Sequence, residues 1–510
     1  MQGHHRIEKH SPVSNIRSRI LLLGELLRKV HSERCVRFAE KEITGICTDS
    51  KHVMSGDLFV CFAGGEHDGH DYAAEALASG AIALVVEREL DFPVPQVIVK
   101  DGRSAAGEIA AAFYGHPEEK LKVIGITGTN GKTTTAHMLV SVLTAAGYKC
   151  GNIGTLGIRY ANKEISPELT TPDPVFLYKI FADMVESGIE YAVMEVSAHA
   201  LYFGKTDGIK FEAAIFTNFT EDHLDFFKTM GAYAAAKEKL FQPGRCKFAV
   251  LNYDDEEGRK IGNFCEKAYS YGLENPSDVF AVDIREDIDG SVFVINLFDE
   301  LYDIRLHMAG LYNVYNAMAA AACAKILGVS VPLIAAGLSG LPRVSGRLEH
   351  IARYRGADIF VDFAHTPDGL EKSLTALRKH CGGRLICVFG CGGNRDALKR
   401  PIMGETAAKI ADFCVLTSDN PRYEDPFDII LQIEEGVRRV SDEYVIVVDR
   451  ECGIGYALDM LKAGDVLLIA GKGGENYQEI MGVRHIYNDV SAVKQMLSER
   501  LASEKGNNES

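Results

Sequence analysis

The residues best suited to chemistry lie in the run Gly128-Thr129-Asn130-Gly131-Lys132-Thr133-Thr134. Small residues followed by lysine and hydroxyls form a cradle for polyphosphate. Backbone N–H groups can approach the oxyanions closely, and a helix starting there adds its dipole. Lys132 would reach the outer phosphates, and the Thr133 hydroxyl would sit on Mg²⁺. The commonest loop of this kind has glycine where this chain has Ile126, so the match begins at Gly128. The elements that position the loop are legible: Leu121, Val123, Ile124 and Ile126 predict a strand before it. Met138, Leu139, Val142 and Leu143, on one face, predict a helix after it that ends at Gly147. Tyr191 to Val196 reads as a second strand, delivering Glu195 at its end. One carboxylate with Thr133 and phosphate oxygens suffices for Mg²⁺, which usually keeps several waters.

The chain of 510 residues exceeds one compact core, and roughly two to four domains are expected. An apolar share of 46% with 25% charge is that of a soluble globular protein, and no apolar run reaches the ~20 residues a membrane span needs. A net charge of −16 argues against nucleic acid as a partner, because such binding depends on neutralising phosphates. Twelve cysteines without a CxxC pair suit a reducing cytosol, and the polar start has no signal-peptide pattern. A cytoplasmic monomer acting on small molecules, without membrane insertion, is the expectation.

Strand and helix patterns alternate throughout, which predicts an α/β protein. Residues 1–17 read as a disordered extension and 18–119 as a small α/β domain that starts with a helix over Leu21 to Val30. The loop described above opens a central domain over 120–342, in which Val292 to His307 reads as a β-hairpin. Residues 343–510 read as a doubly wound domain with strands at Ile359 to Phe363, Leu385 to Phe389, Phe413 to Thr417, Tyr444 to Val448 and Val466 to Ala470. Several polar motifs follow strand ends, where ligands of parallel sheets bind.

Read alone, many of these motifs have ordinary explanations. Ser50 and His70 fit turns and caps, His223 fits a packed or capping histidine, and Lys237 fits a surface lysine in an alanine-rich helix. Asn313 and Asn316 share one face at a helix start, where asparagine often caps. Arg422, after a rigid Asn-Pro turn, is either an exposed turn residue or a planar fork for a carboxylate.

The whole set, in its order, resembles the Mur ligases and their relative folylpolyglutamate synthase, enzymes that join an amino group to a carboxylate. Gly-Thr-Asn-Gly-Lys-Thr-Thr is similar to their ATP loop, and Asp419-Asn420-Pro421-Arg422 resembles the motif of members that add meso-diaminopimelate rather than L-lysine. The resemblance implies three domains: a small α/β UDP-binding domain, a central P-loop ATPase-like parallel sheet, and a Rossmann-like C-terminal domain. It places Asn313, Asn316 and Arg347 with the loop on ATP as cosubstrate. Glu195, His223 and a carbamylated Lys237 join Thr133 on Mg²⁺. Ser50, His70, Asn152, Thr170, Thr171, Ser197 and Lys205 would hold a UDP-MurNAc-dipeptide. Arg395, Asp419, Asn420, Arg422, Gly471 and Glu475 would surround the amino acid, with Glu475 on its distal ammonium. The chain departs from the family at Lys51 and Tyr312, where arginine and histidine are common. A lysine-adding ligase and a non-catalytic, nucleotide-regulated wall-precursor-binding protein remain open alternatives. A folylpolyglutamate synthase would not need the N-terminal domain.

Overall fold

The structure, a computed structural model, describes residues 19–508 except 29, 65, 66, 167 and 168. The extension expected over 1–17 lies outside the described residues. Three larger sheets follow one another along the chain.

The first has five strands in the order Arg34–Val36, Gln96–Ile98, Ala83–Val86, Asp57–Val60 and Gly45–Cys47. All pairs are parallel except the first. Its inner strands are buried along their whole length, as expected of a parallel sheet covered on both faces. The helix predicted over Leu21 to Val30 is much shorter, Leu23–Leu27, and the two residues before it pair as a strand with Glu42–Ile43. Leu22 has no side chain that could cap a helix, so those backbone groups find partners in a ladder instead.

The central sheet has eleven strands. Its parallel part runs Cys150–Gly154, Tyr191–Glu195, Lys122–Thr127, Ala213–Phe216, Ala249–Asn252, Ala268–Tyr271 and Val279–Asp287. Antiparallel strands close both edges. The expected hairpin is the outer part of a three-stranded meander, Val279–Asp287, Gly290–Leu297 and Glu300–Leu306. The first of these strands escapes periodicity because its register shifts between Val282 and Arg285, where Asp283 is left-handed (φ 52°). Helices Lys132–Ala145, Leu311–Ile326 and Val331–Gly340 pack on one face. On the other, helix Pro174–Glu186 packs against helix Gly102–Tyr114 and joins the cores of the first two sheets.

The third sheet has six strands: Glu349–Tyr354, Ala357–Asp362, Val466–Ala470, Leu385–Phe389, Phe413–Leu416 and Tyr444–Ile446. All neighbours but the first pair run parallel. Val466–Ala470 lies between Ala357–Asp362 and Leu385–Phe389, so the chain passes to opposite sides there and a crevice opens at the strand ends. No helix among the described residues is long and apolar enough to cross a membrane.

Candidate active site

The loop after Lys122–Thr127 enters helix Lys132–Ala145 through Gly131, which takes φ 85°. Lys132 Nζ donates to the Gly128 and Thr129 carbonyls, each at 2.8 Å, which folds the ammonium over its own loop. Burial lowers its pKa despite the charges of Glu195 and Asp222. Thr133 Oγ1 donates to Glu195 Oε2 at 3.0 Å and accepts from Arg347 Nη2 at 2.8 Å. Thr155 holds the same carboxylate, its N–H on Oε1 at 2.9 Å and its hydroxyl on Oε2 at 3.2 Å. Glu195 is 1% exposed and lies against Gly154, where a Cβ would fall 2.1 Å from Oε1. A buried carboxylate, two hydroxyls and a guanidinium thus meet at the mouth of the loop. Sequence pattern does not single out Thr155; its signal is the glycine before it.

Lys237 lies in helix Met230–Glu238 and is 1% exposed, so it is no surface lysine. Its Nζ sits 4.4 Å from the centroid of the Tyr233 ring and has no hydrogen bond among the described residues. Burial, with the nearby Lys132 cation, pulls its pKa well below the usual lysine range. His223, left-handed at φ 58°, faces His199 edge-on with the centroids 4.8 Å apart. Burial lowers its pKa to about 3, so the imidazole is neutral at pH 7 and offers a lone pair. Its neighbour Asp222, 3.4 Å from His223 Nε2, lies 3.7 Å from Lys399 of the third sheet's domain. Asp222 is a site residue that the sequence pattern does not single out; its signal is its place in the Thr-Glu-Asp-His run.

Asn313 and Asn316 are buried on the helix face toward the loop. Asn313 Nδ2 donates to the Ala309 carbonyl at 2.7 Å, Asn316 Nδ2 to Asn313 Oδ1 at 3.1 Å, and Thr135 Oγ1 to Asn316 Oδ1 at 3.3 Å. They form a chain that braces the loop, and a Cβ on Gly131 would lie 2.4 Å from Asn316 Oδ1.

The other residues expected to bind the precursor divide between two places. Thr171 Oγ1 donates to the Glu195 carbonyl at 2.9 Å and accepts from Ser197 N–H at 3.0 Å, while Thr170 pairs with Thr155 at 3.1 Å. Asn152 is buried, its Oδ1 without a partner among the described residues, and Lys205 Nζ sits 2.7 Å from Asp173. In the first domain, Ser50 Oγ donates to Glu75 at 2.9 Å. Both ring nitrogens of His70 are engaged, with Asp68 at 2.5 Å and with the Glu87 N–H at 2.9 Å, so its ring is committed within the chain.

In the third sheet, Asp419-Asn420-Pro421-Arg422 follows Phe413–Leu416, and Gly471 to Glu475 follows Val466–Ala470. Arg422, left-handed at φ 52°, donates from Nη1 to the Gly393 carbonyl at 2.7 Å. Asn420 Nδ2 donates to Glu475 Oε2 at 3.0 Å. Gly471 (φ 113°) lies against Asp419, to which a Cβ would come within 2.6 Å. Burial works to raise the Asp419 pKa, but Lys472 and Arg450 overcome it and hold the carboxyl ionised below the ordinary range. Arg395 is exposed and reaches toward His199 of the central domain, whose protonation its charge opposes. The two domains also touch at Asn130, whose Nδ2 donates to Asp368 at 2.8 Å.

Known proteins are similar to this chain along most of its length. Residues 126–324 match the Mur ligase middle domain, 346–473 the Mur ligase glutamate ligase domain, and 42–114 the Mur ligase family catalytic domain. The chain is 41% identical over 462 residues to a UDP-N-acetylmuramoyl-L-alanyl-D-glutamate--2,6-diaminopimelate ligase of Caldanaerobacter subterraneus, covering 90% of this chain and 95% of that one. A protein of the same name from Geobacillus thermodenitrificans is 41% identical over 472 residues, covering 91% and 96%. A solved structure of a ligase with that name superposes with TM-score 0.63 at 31% identity, covering 90% and 95%. MurF from Acinetobacter baumannii shares the fold, with TM-score 0.67 at 22% identity over 94% and 99%. With all three domains matched in order and relatives aligned over at least 90% of this chain, the chain belongs to the Mur ligase family.

Proposed function

We propose that the protein joins meso-2,6-diaminopimelate to the D-Glu side-chain carboxylate of UDP-MurNAc-L-Ala-D-Glu, converting ATP to ADP and phosphate, as a cytoplasmic step of peptidoglycan precursor synthesis. A carboxylate is a poor acyl donor, so its oxygen first takes the γ-phosphoryl group and ADP leaves. The diamino acid's amine then attacks the acyl carbon, phosphate departs with the C–O bond pair, and the amine loses a proton. Lys132 and Arg347 face the phosphoryl oxygens and favour the charge that moves onto the leaving groups. Asn313 and Asn316 hold the loop against its helix. The N-terminal domain takes the UDP end, with Ser50 and the backbone about His70. Asn152, Thr170, Thr171, Ser197 and Lys205 take the dipeptide.

The residues present fit Mg²⁺. Thr133, Glu195 and a neutral His223 offer lone pairs, and the poorly solvated amine of Lys237, without a hydrogen bond among the described residues, is suited to take up CO₂ and become a carbamate oxygen ligand. Bound there, the ion would offset phosphoryl charge.

The observation that carries this reading is the meeting of Arg347 with Thr133, and of Asn130 with Asp368, which brings the nucleotide loop against the third domain. Phosphate release from ATP with UDP-MurNAc-L-Ala-D-Glu is the test, comparing meso-diaminopimelate with L-lysine. Release with diaminopimelate alone is expected. Preference for lysine would overturn the acceptor, and no release with either would overturn the ligase reading.

A further inference from the structure

The amino-acid side of the site holds a buried cation that none of these steps uses. Lys472 follows Gly471 at the end of Val466–Ala470, and its side chain is 0% exposed. The chain reverses immediately after it. Glu475 N–H donates to the Lys472 carbonyl at 3.0 Å, closing a turn in which Gly473 takes φ 54°. That turn folds the ammonium back onto the loop's own carboxylate. Lys472 Nζ donates to Glu475 Oε2 at 3.0 Å and to Asn420 Oδ1 at 2.9 Å. Asn420 Nδ2 donates to the same Glu475 oxygen at 3.0 Å, and the Glu479 N–H donates to Asn420 Oδ1 at 2.9 Å.

These partners fix the way round of the amide. An ammonium and a backbone N–H can only donate, so Asn420 must turn its oxygen to them and its NH₂ group to Glu475. Glu475 Oε2 then receives two donors. Its Oε1 receives none among the described residues, and the side chain is 20% exposed. We infer that Lys472 is a positioning residue for the acceptor amino acid. It ties one oxygen of Glu475 to the protein, fixes the Asn420 amide, and leaves the other Glu475 oxygen available to the distal ammonium of the substrate.

This inference rests on the placing of Glu475 against that ammonium. A buried ammonium is costly unless paired, and without it the amide can flip and the carboxylate can turn to solvent. The effect belongs to binding of one substrate, because the other two are held by other domains.

The test is steady-state kinetics of Lys472→Met in the full chain, with Glu475→Gln and the double variant beside it. In Lys472→Met the KM for meso-diaminopimelate is expected to rise at least about tenfold, the loss of a hydrogen bond to a charged group, while the KM for ATP stays within about twofold. The double variant is expected to fall short of the product of the single effects, because both act through one carboxylate. An unchanged KM for the diamino acid, an equal change for all three substrates, or effects that multiply would overturn the inference. Should the methionine variant fail to fold, Lys472→Gln, which keeps a donor in the slot, takes its place under the same criteria. Wild-type protein that turns over no diamino acid would overturn the functional reading and this inference with it, whereas normal wild-type turnover with an unaltered variant would overturn the inference alone.

Discussion

Replacing Arg422 bears most directly on the acceptor. Its backbone is tied to the Tyr477–Ile480 strand on both sides, since its N–H donates to the Glu479 carbonyl at 3.0 Å and its carbonyl accepts from Met481 N–H at 2.6 Å. Nη1 is anchored on Gly393 at 2.7 Å and Nε lies 3.7 Å from Glu479 Oε2. What remains for a ligand is the second Nη1–H and the Nη2 group, enough for two parallel bonds to one carboxylate. At about 1.5–3 kcal/mol for each bond to a charged group, both together contribute about 3–6 kcal/mol, or about 10²–10⁴ in preference for diaminopimelate over L-lysine. Arg422→Lys keeps one bond and should lose about 10- to 100-fold of that preference, since an ammonium cannot copy the fork. Arg422→Ala should lose nearly all of it, mostly through kcat/KM for diaminopimelate.

The assay is phosphate release under each acceptor, reported as the ratio of kcat/KM values. Arg422→Gly serves as a control on the fold, because glycine relieves the left-handed backbone by about 1 kcal/mol and should not lower the melting temperature. An alanine variant that still prefers diaminopimelate to the wild-type degree would refute the assignment and shift attention to Arg395, an exposed guanidinium on the loop after Leu385–Phe389.

Three further outcomes are expected. Lys237→Ala should abolish turnover while leaving the fold intact; near-normal activity would remove the carbamate from the scheme. Burial, with Glu238 adding to it, raises the Glu257 carboxyl from 4.5 to about 7. A group raised on folding contributes stability that is full below its unfolded value and is lost as pH rises through its folded value, here between 4.5 and about 7. Glu257→Gln, always neutral, should therefore melt above the wild type at pH 8 and match it near pH 4, and a gap that does not depend on pH would count against the shift. Arg450, 2% exposed, pairs with Asp489 through two bonds of 2.8 Å. It also donates to the carbonyls of Ser418 and Ala470, the residues just before the two amino-acid loops. Arg450→Met should cost about 3–5 kcal/mol in urea unfolding by stranding a buried carboxylate, and Asp489→Leu in the same chain should restore most of it; a single variant within about 1 kcal/mol of wild type would refute the account.

What was legible in the sequence followed from local pattern. The loop at Gly128 to Thr134, its flanking strand and helix, and the motifs at strand ends depend on neighbours in the chain, and so does each strand expected over 359–470. Contacts between distant segments left no such trace. Lys237 looks like a surface residue in its alanine-rich helix, and only the folded chain buries it beside Tyr233 and near Lys132. Asp222 and Lys399 are far apart in sequence, as are Asn130 and Asp368. The Tyr477–Ile480 and Val483–Ile486 hairpin was missed because its strands are short and mostly exposed, with polar and charged residues among the apolar ones. His70 reads alone as a turn or cap residue and by resemblance as a UDP contact, and only the folded chain shows its ring engaged by Asp68 and the Glu87 N–H.

The linker between the second and third sheets joins the two halves of the chemistry. Gly346 takes φ 63° and lies so close to the Gly473–Gly474 backbone that a Cβ on it would fall 1.9 Å from the Gly474 nitrogen. That backbone is the turn between Lys472 and Glu475. The next residue, Arg347, donates to Thr133 on the nucleotide loop, and Glu475 is among the acids whose charge it feels. The arginine proposed for phosphate and the turn proposed for the amino acid are thus far apart in the chain but joined in space, through the packing of Gly346 on the Gly473–Gly474 backbone. A swing of the third domain that parts Arg347 from Thr133 must carry the Lys472–Glu475 turn with it, because close-packed backbone has no slack to absorb the motion. In the proposed reaction such a swing would also withdraw Glu475 from the amine, so that the acyl phosphate would meet its nucleophile only with the site closed against water.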